Sequence, residues 1–292
     1  MLLKLNSIIC EDKIVKYKLV ADSCCELIPE LKNDLQAESV PLVLSVDGKE
    51  YIDDEKLNIS EFVEDMKNSK NPARSSCPSP EAFAEKCRES INTFIVTISA
   101  ALSGSYQSAV MGSDIVKSEN PDKKIHVFNS KSASAGEILV GLKIRECLEH
   151  KMDFDAIIET VTEFIDNMKT MFILDKLDNL VKNGRMSKVT GQIATILSLR
   201  PIFGSDSEGH IKLFANARGS LKAIGKMVDM IEDFCSDTSK RTLVITHCNN
   251  NEHAALVKSM AQKKYSFKDI YIVPMRGLSS MYANDKGIII AF

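Results

Sequence analysis

The sequence contains no tryptophan, and it has no apolar run approaching the roughly 20 residues that a helix needs to span a bilayer. It also lacks an excess of positive charge, because 37 Lys and Arg residues face 40 Asp and Glu residues. The formal net charge of -3 gives no general attraction toward nucleic acid. Residues 1–18 hold only a brief apolar stretch before charges intervene, which makes a poor signal peptide. We therefore expect a cytoplasmic protein with no stable membrane insertion and no nucleic-acid partner.

Several motifs of catalysis and cofactor binding are also missing. None of the eight cysteines forms a C-x-x-C pair, so we expect reduced thiols and no disulfide framework. The phosphate-binding patterns G-x-x-x-x-G-K-[ST] and G-x-G-x-x-G are absent, as is the G-x-S-x-G pattern of serine hydrolases. The acidic run at 52–55 is interpreted as a solvated turn. These absences predict no cofactor, no metal site and no enzymatic activity, and a nucleophilic Ser103 is the alternative.

The first half of the chain alternates strand and helix patterns. Apolar segments at 16–22, 39–46, 93–99 and 124–130 predict strands, and the middle two are apolar enough to be covered on both faces. Helical patterns lie at 79–90, 103–118 and 132–150, the first with Ser79 as N-cap and Pro80 in the first turn. This alternation is typical of a parallel sheet flanked by helices.

The second half begins after a helix predicted from Asp153, whose apolar residues up to Met168 lie on one face. Beyond it, the patterns predict helices at 174–188, 190–199, 219–235 and 249–264, an edge strand at 211–218, and strands at 242–247 and 269–275. We place a domain boundary near 168–172. The predicted fold is α/β with two domains, an N-terminal domain at 1–170 and a smaller C-terminal domain at 171–292 with a mixed or antiparallel sheet.

Small hydroxyl residues follow the predicted strands. Ser103, Gly104 and Ser105 lie between the strand at 93–99 and the next helix, where free backbone N–H groups could receive an anion. Capping and turn formation explain these residues equally well. Hydroxyls in similar positions occur in the ranges 22–23, 75–76 and 130–134. Four such strand ends in one sheet predict a single site for a polar head group.

A series of short motifs runs through the chain in a fixed order. The matching residues are Asp22, Ser23, Glu26 and Leu27 (D-S-x-x-D/E-L), Val40 to Leu42 (V-P-L), Ser75 to Pro80 (T-S-Q-P-S-P), Leu102 to Ala109 (L-S-G-T-Y-Q-S-A), Asn129, Ser130, Ser134 and Gly136 (D-S-x-x-x-S-x-G), Gly184 and Arg185 (G-R), Arg200 to Ile202 (K-P-I), and Ala217 with Arg218 (A-R). In this order they resemble the DegV family over nearly the whole chain, from about Tyr17 to Phe292.

The resemblance implies that the chain binds a long-chain fatty acid between two domains and presents its carboxylate to a separate fatty acid kinase subunit. The family's carboxylate-binding Thr and Ser correspond to Ser75 and Ser103, and we include the adjoining Ser76 and Gly104 as ligand-binding residues. Burial of the acyl chain supplies about 0.8 kcal/mol per methylene. Another amphiphile or a small phosphorylated molecule in the same cleft is the alternative ligand.

Two further positions follow from the same resemblance. The family arginine that helps dock the kinase corresponds to Arg185. The family's C-terminal H-x-G-P-G element is not present, and Tyr282 stands where its histidine would be. A phenol can donate a hydrogen bond to a carboxylate, so we include Tyr282 as ligand-binding.

Overall fold

The computed structural model describes residues 17–187, 189 and 199–292 of the chain. The strands are β1 (Tyr17–Asp22), β2 (Glu38–Val40), β3 (Val43–Val46), β4 (Lys49–Ile52), β5 (Arg74–Ser76), β6 (Asn92–Thr97), β7 (Lys124–Asn129), β8 (Thr170–Ile173), β9 (Arg200–Ser205), β10 (Ile211–Ala217), β11 (Thr242–His247), β12 (Asp269–Pro274) and β13 (Ile288–Ala291). The helices are α1 (Pro29–Leu35), α2 (Ile59–Asn68), α3 (Pro80–Arg88), α4 (Ser105–Glu119), α5 (Ala135–Glu149), α6 (Phe154–Asn167), α7 (Asp178–Lys182), α8 (Ser220–Asp229), α9 (Ile231–Phe234), α10 (Asn251–Lys264) and α11 (Gly277–Ala283). The predicted α/β class is confirmed.

A parallel sheet with the strand order β2-β1-β6-β7 forms the centre of the N-terminal half. Alternate residues of β6 enter different cores, because successive side chains of a strand point to opposite faces. Phe94 packs with α5 and α6 residues, and Ile95 packs with α3 and α4 residues. Both faces of this strand are therefore covered by helices, as the apolar run at 93–99 predicts.

The prediction of one strand at 39–46 is wrong. The segment divides at Pro41 into β2, which belongs to the parallel sheet, and β3, which belongs to a small antiparallel sheet with the order β4-β3-β5. Proline lacks the backbone N–H that a continuing central strand requires. The hairpin between β3 and β4 turns at Asp47 and Gly48, which both have positive φ, the combination that a tight type I′ turn needs.

A mixed sheet with the order β10-β9-β8-β13-β11-β12 forms the C-terminal half. Strands β11 and β12 are parallel and the other neighbouring pairs are antiparallel. This confirms the prediction of a mixed or antiparallel sheet, and β10 is an edge strand as its sequence predicts. Helix α5 packs between the two large sheets, because Ile138 shares one core with Phe94 of β6 and Val244 of β11.

Helix predictions succeed where caps accompany the apolar pattern. Helix α6 begins after Asp153, whose carboxylate accepts a hydrogen bond from the Ala156 backbone N–H at 2.9 Å. The helix predicted at 174–188 is much shorter, because α7 ends before Gly184, which has a φ of +76°. The pattern at 219–235 forms two helices, α8 and α9, that meet at Met230. The helix predicted at 190–199 lies outside the described residues, apart from residue 199.

The polypeptide returns to the N-terminal half before its last strand. Helix α11 contributes Leu278 and Met281 to a core that also contains Leu44 of β3 and Phe62 of α2. The mixed sheet begins with β8 at Thr170, beside the predicted boundary. The division into 1–170 and 171–292 remains a prediction, since α11 packs on the other side of it.

Candidate functional site

Four of the residues predicted to bind a ligand or partner line one interior cavity, which holds about 840 Å³ of empty space including the part open to solvent. The Ser75 hydroxyl lies 3.2 Å from the Tyr282 phenol oxygen. The Arg185 guanidinium lies over the Tyr282 ring, 5.9 Å from its centroid. Arg185 Nε also donates to the Leu102 carbonyl at 3.1 Å, next to Ser103. We call Ser75, Ser103, Arg185 and Tyr282 the polar cluster.

Each member of the polar cluster is placed by a different element. Ser75 lies on β5, opposite Leu44 of β3. Ser103 lies in the loop between β6 and α4, where its backbone N–H donates to the Ser99 carbonyl at 3.1 Å. Arg185 follows α7, and Tyr282 lies on α11. The cluster therefore joins the small sheet, the parallel sheet and the C-terminal half.

Ser76 and Gly104, which were also predicted to bind the ligand, do not line this cavity. Ser76 is exposed because successive residues of a strand point to opposite faces, so β5 directs Ser75 inward and Ser76 outward. Gly104 is also exposed, and a side chain there would begin 3.1 Å from the Cys77 sulfur. Their assignment to the ligand rests on the motif alone.

The rest of the cavity wall is largely apolar. Side chains from both halves of the molecule contribute to it. They include Leu42, Ile98, Leu102, Phe172, Leu174, Leu180, Ile211, Leu278 and Ile289. A polar cluster at one part of a mostly apolar cavity suits an elongated molecule with a polar head and an apolar tail.

The hydroxyl-rich strand ends divide between two environments. Ser132 and Ser134, which follow β7, line the interior cavity together with Ser75 and Ser103. Asp22 and Ser23, which follow β1, do not line it. The prediction of four strand ends of one sheet at a single site is therefore wrong on two points. Asp22 and Ser23 lie outside the cavity, and Ser75 and Ser76 belong to the small antiparallel sheet and not to the parallel one.

Asp22 and its neighbours form what we call the carboxyl network, which comprises Asp22, Glu26 and Glu137. The Asp22 carboxylate accepts backbone N–H groups of Ile98 at 3.0 Å and Cys24 at 3.1 Å. Burial raises the pKa of Asp22 to about 6 and the pKa of Glu26 to about 7, and it raises the pKa of Glu137 well above its ordinary range. The network is therefore held inside the protein with part of its carboxyl groups protonated near neutral pH.

Ser134 connects the carboxyl network to both halves of the molecule. Its hydroxyl lies 2.8 Å from Glu26 Oε2 and 2.8 Å from Thr246 Oγ1 on β11. A serine hydroxyl has one hydrogen, so it donates to one of these partners and accepts from the other. Its backbone has a φ of 53°, which is uncommon for serine and implies that the surrounding contacts hold it in place.

One group of acidic and thiol atoms within the described residues lies close enough to share a metal ion. It comprises Asp22, Cys24 and Glu137, whose ligand atoms are within 4.8 Å of one another. Burial raises the pKa of all three groups. Because metal ligands must be deprotonated, this environment favours protons over a metal ion.

The acidic run at 52–55 is not simply a solvated turn, as its sequence suggests. Asp53 is only 2% exposed. Its carboxylate accepts the Ser23 hydroxyl at 2.9 Å and the backbone N–H groups of Gly277 at 2.9 Å and Leu278 at 2.8 Å. Asp53 therefore anchors the start of α11, the helix that carries Tyr282. Nothing in the local sequence distinguishes it from the more exposed Asp54 and Glu55.

The described cysteines match the expectation from the sequence. All seven are free thiols, and only Cys77 among them is exposed. Cys10 lies outside the described residues. None of the helices in the described ranges is both long enough and apolar enough to cross a bilayer.

A family model described as "Uncharacterised protein, DegV family" matches residues 16–291. The chain belongs to the DegV family. The resemblance carried by the ordered motifs is thereby confirmed. A DegV domain-containing protein of Streptococcus pneumoniae is 31% identical over 278 residues, which cover 94% of this chain and 98% of that relative.

Solved structures of DegV proteins share the fold. A DegV family protein of Ruminococcus gnavus, refined with vaccenic acid, superposes with a TM-score of 0.92 and is 38% identical, covering 96% of this chain and all of its own. The Fatty Acid Kinase (Fak) B3 protein of Streptococcus pneumoniae, loaded with linoleic acid, has a TM-score of 0.88 and is 31% identical, covering 95% of this chain and 99% of its own. Both relatives hold long-chain fatty acids.

Proposed function

We propose that this DegV protein binds a long-chain fatty acid in the interior cavity, with the carboxylate at the polar cluster. The observation that carries the proposal is the convergence of Ser75, Ser103, Arg185 and Tyr282 on one mostly apolar cavity. These residues come from four separate elements. By the family resemblance, Ser75 and Ser103 correspond to the carboxylate-binding residues, Tyr282 stands at the position of the histidine, and Arg185 corresponds to the arginine that helps dock the kinase. The solved relatives that hold vaccenic and linoleic acids support the choice of ligand.

The polar cluster offers suitable chemistry for a carboxylate. Two serine hydroxyls and a phenol are hydrogen-bond donors, and the Arg185 guanidinium adds a positive charge. Tyr282 takes the place of the family's histidine as a hydrogen-bond donor. The Arg185 guanidinium, which lies over the Tyr282 ring, adds a positive charge beside it. Charge-assisted hydrogen bonds contribute about 1.5 to 3 kcal/mol each.

The apolar wall accounts for most of the binding free energy. Each buried methylene contributes about 0.8 kcal/mol, so a long acyl chain gains far more than the head group does. The polar cluster mainly sets the orientation of the ligand. Chain length and saturation are then selected by the shape of the apolar part of the cavity.

We further propose that the bound carboxylate is presented to a fatty acid kinase subunit, as the name of the pneumococcal Fak B3 relative suggests. Arg185 is the predicted contact for that partner. It is partly buried and donates to the carbonyls of Leu102 and Asn183. In this proposal Arg185 also orients the head group.

The proposed role is that of a carrier and not of a catalyst. The rival interpretation, a nucleophilic Ser103, needs a neighbouring base. The hydroxyl of Ser103 lies 3.1 Å from the Ser105 hydroxyl, and within the described residues it has no hydrogen bond to a histidine or a carboxylate. This arrangement supports binding over catalysis.

Mass spectrometry of an organic extract of the purified protein tests the proposal. The expected result is a straight-chain long-chain acid in an amount close to one per chain. After removal of lipid, the protein should also take up isotope-labelled oleic acid, seen as a mass increase in native mass spectrometry. A phosphorylated molecule or a different amphiphile in the extract, together with failure to take up oleic acid, would refute the proposal.

A further inference from the structure

The turn between β9 and β10 covers one side of the interior cavity. We call residues 206–210 the hairpin tip. Gly209 and His210 of the tip line the cavity, together with Lys131, which follows β7. Ser207 and Glu208 are exposed, so the tip has one side toward the cavity and one toward solvent. The hairpin tip therefore forms a thin wall between the cavity and the surrounding water.

The hairpin tip keeps its shape through its own hydrogen bonds. The Asp206 backbone N–H donates to the His210 carbonyl at 2.9 Å, and the Gly209 backbone N–H donates to the Asp206 carbonyl at 3.1 Å. The Asp206 carboxylate accepts the backbone N–H groups of Glu208 at 3.0 Å and His210 at 2.9 Å. Within the described residues, no backbone–backbone hydrogen bond joins the tip to the N-terminal half. The tip can therefore move as one body.

The contact between the hairpin tip and the N-terminal half is close and depends on a glycine. Ser99 follows β6, and its hydroxyl donates to the Gly209 carbonyl at 2.9 Å. A Cβ atom at Gly209 would lie 2.3 Å from Ser99 Oγ and 2.9 Å from Lys131 Cα, which is closer than real Cβ contacts allow. Gly209 also has a φ of +82°, a conformation that favours glycine. The tip closes on the N-terminal half because position 209 has no side chain.

A β-bulge lies between the hairpin tip and the rest of the mixed sheet. The pairing of β10 with β9 shifts register between Leu213 and Ala215, so Phe214 is the extra residue. Leu213, before the bulge, packs on the core shared by both halves, whereas Ala215, after it, packs on the core that contains Ile224 of α8. Strand β10 is at the sheet edge and pairs with β9 alone. The bulge therefore gives the end of the hairpin a place to bend.

Other walls of the interior cavity are held more firmly. Strands β8 and β13 each have a partner strand on both sides in the mixed sheet. The start of α11 is anchored by the Asp53 carboxylate. Leu42 and Phe172, which line the cavity, are at most 9% exposed, so an acyl chain reaches them only after part of the wall moves. The hairpin tip, at the edge of its sheet, is less constrained than these walls.

We propose that the hairpin tip is a lid over the interior cavity, which swings away from Ser99 and Lys131 to admit or release an acyl chain. The role of the lid rests on the proposed function, since it controls how the fatty acid enters. The closing contact involves protein atoms alone, so a change that weakens it favours the open lid with or without ligand. Uptake and release should then accelerate by the same factor, and the affinity should stay unchanged.

Exchange of isotope-labelled oleic acid, followed by native mass spectrometry, tests the lid. Release is measured from the loaded full chain in excess unlabelled oleic acid, and uptake is measured after removal of lipid. Ser99→Ala removes the closing hydrogen bond and should raise both rates about fivefold. Gly209→Ala places a methyl group against Ser99 and Lys131 and should raise both rates about tenfold. The control Ser207→Ala, at an exposed position of the tip that does not line the cavity, should leave both rates unchanged.

The two rates together distinguish a lid from a fixed wall. Rates in Ser99→Ala and Gly209→Ala equal to those of Ser207→Ala would overturn the lid. Faster release without faster uptake would also overturn it, because the substituted residues would then act on the bound ligand. Wild-type protein that takes up no oleic acid would refute the proposed function, and the lid with it. Circular dichroism checks that each variant is folded, and Ser99→Ala alone decides the outcome if Gly209→Ala does not fold.

Discussion

The polar cluster and the carboxyl network both arise from polar residues that follow strand ends, yet their surroundings differ. Ser75, Ser103 and Tyr282 are half-buried and border an interior cavity. Asp22 and Glu26 are at most 3% exposed, and backbone N–H groups or a serine hydroxyl occupy their oxygens. A polar residue after a strand is therefore free to hold a ligand only where its own chain leaves its hydrogen-bonding atoms accessible.

Two serines connect these regions. Ser105 lies 3.1 Å from the Ser103 hydroxyl and also hydrogen-bonds the Asp22 carboxyl. Ser134 lines the interior cavity and also contacts Glu26. Substitutions in the carboxyl network should therefore mainly lower the free energy of unfolding. Substitutions in the polar cluster should mainly reduce the amount of bound fatty acid. Measurement of both stability and ligand retention on each variant separates these two effects.

Asp22→Ala should have the largest effect. It leaves the buried N–H groups of Ile98 and Cys24 without their acceptor, and each such group costs about 1 to 3 kcal/mol. We expect a loss of about 3 kcal/mol in the free energy of unfolding, measured by urea denaturation. Asp155→Ala, at an exposed position in the first turn of α6, is the control and should change stability by less than about 0.5 kcal/mol. An equally mild Asp22→Ala would contradict a structural role for the network.

Glu26 should make stability depend on pH. Between its ordinary pKa of 4.5 and its folded pKa of about 7, the folded chain keeps a proton that the unfolded chain releases. The free energy of unfolding should therefore fall as pH rises through this window, by up to about 3 kcal/mol. Glu26→Gln removes this contribution, so the difference between wild type and variant isolates it from other carboxylates. Parallel stability curves for the two proteins across the window would show that Glu26 is not buried as described.

Ser103→Ala should reduce acyl retention with little loss of stability. It removes a donor to the proposed carboxylate, which is worth about 1.5 to 3 kcal/mol, or roughly tenfold or more in affinity. Uptake of labelled oleic acid, followed by native mass spectrometry, measures the change. Ser45→Ala is the control, because Ser45 lies in the small sheet but does not line the cavity. Retention equal to that of the control would place the head group elsewhere.

Tyr282→Phe should have the smallest effect, about 1 kcal/mol, because one neutral hydrogen bond is lost and the ring beneath Arg185 stays. Tyr282→His tests the family residue in the same place. It should retain oleic acid and bind it more tightly below about pH 6.5, where imidazole becomes charged. Loss of uptake in Tyr282→His, in a folded protein, would show that the phenol has a role that the imidazole does not fill.

Much of the secondary structure could be predicted because its signals are local. Asp153 caps α6, Ser79 caps α3 with Pro80 in the first turn, and the apolar run at 93–99 forms a buried strand. The failures also have local causes. Pro41 divides a segment that otherwise resembles one strand, and Gly184 follows a helix that ends early.

Less of the candidate site can be predicted from local sequence signals. Ser75 and Tyr282 are 207 residues apart, and only the family motifs indicated that the serine belongs to the site and that the tyrosine replaces a histidine. The acidic neighbours of Asp53 predict a solvated position, yet its carboxylate anchors α11.

Local sequence patterns specify the α/β class, most helix and strand positions, and the family, because periodicity, caps and ordered motifs act over short stretches of chain. Which polar residues face a cavity and which are enclosed depends on the packing of the folded chain. Successive side chains of β5 point to opposite faces, so Ser75 lines the interior cavity and Ser76 is exposed to solvent. Asp22 is buried by surrounding protein, whereas Ser103 lines the interior cavity. Burial and hydrogen-bond partners depend on segments far apart in the chain, so no local pattern specifies them.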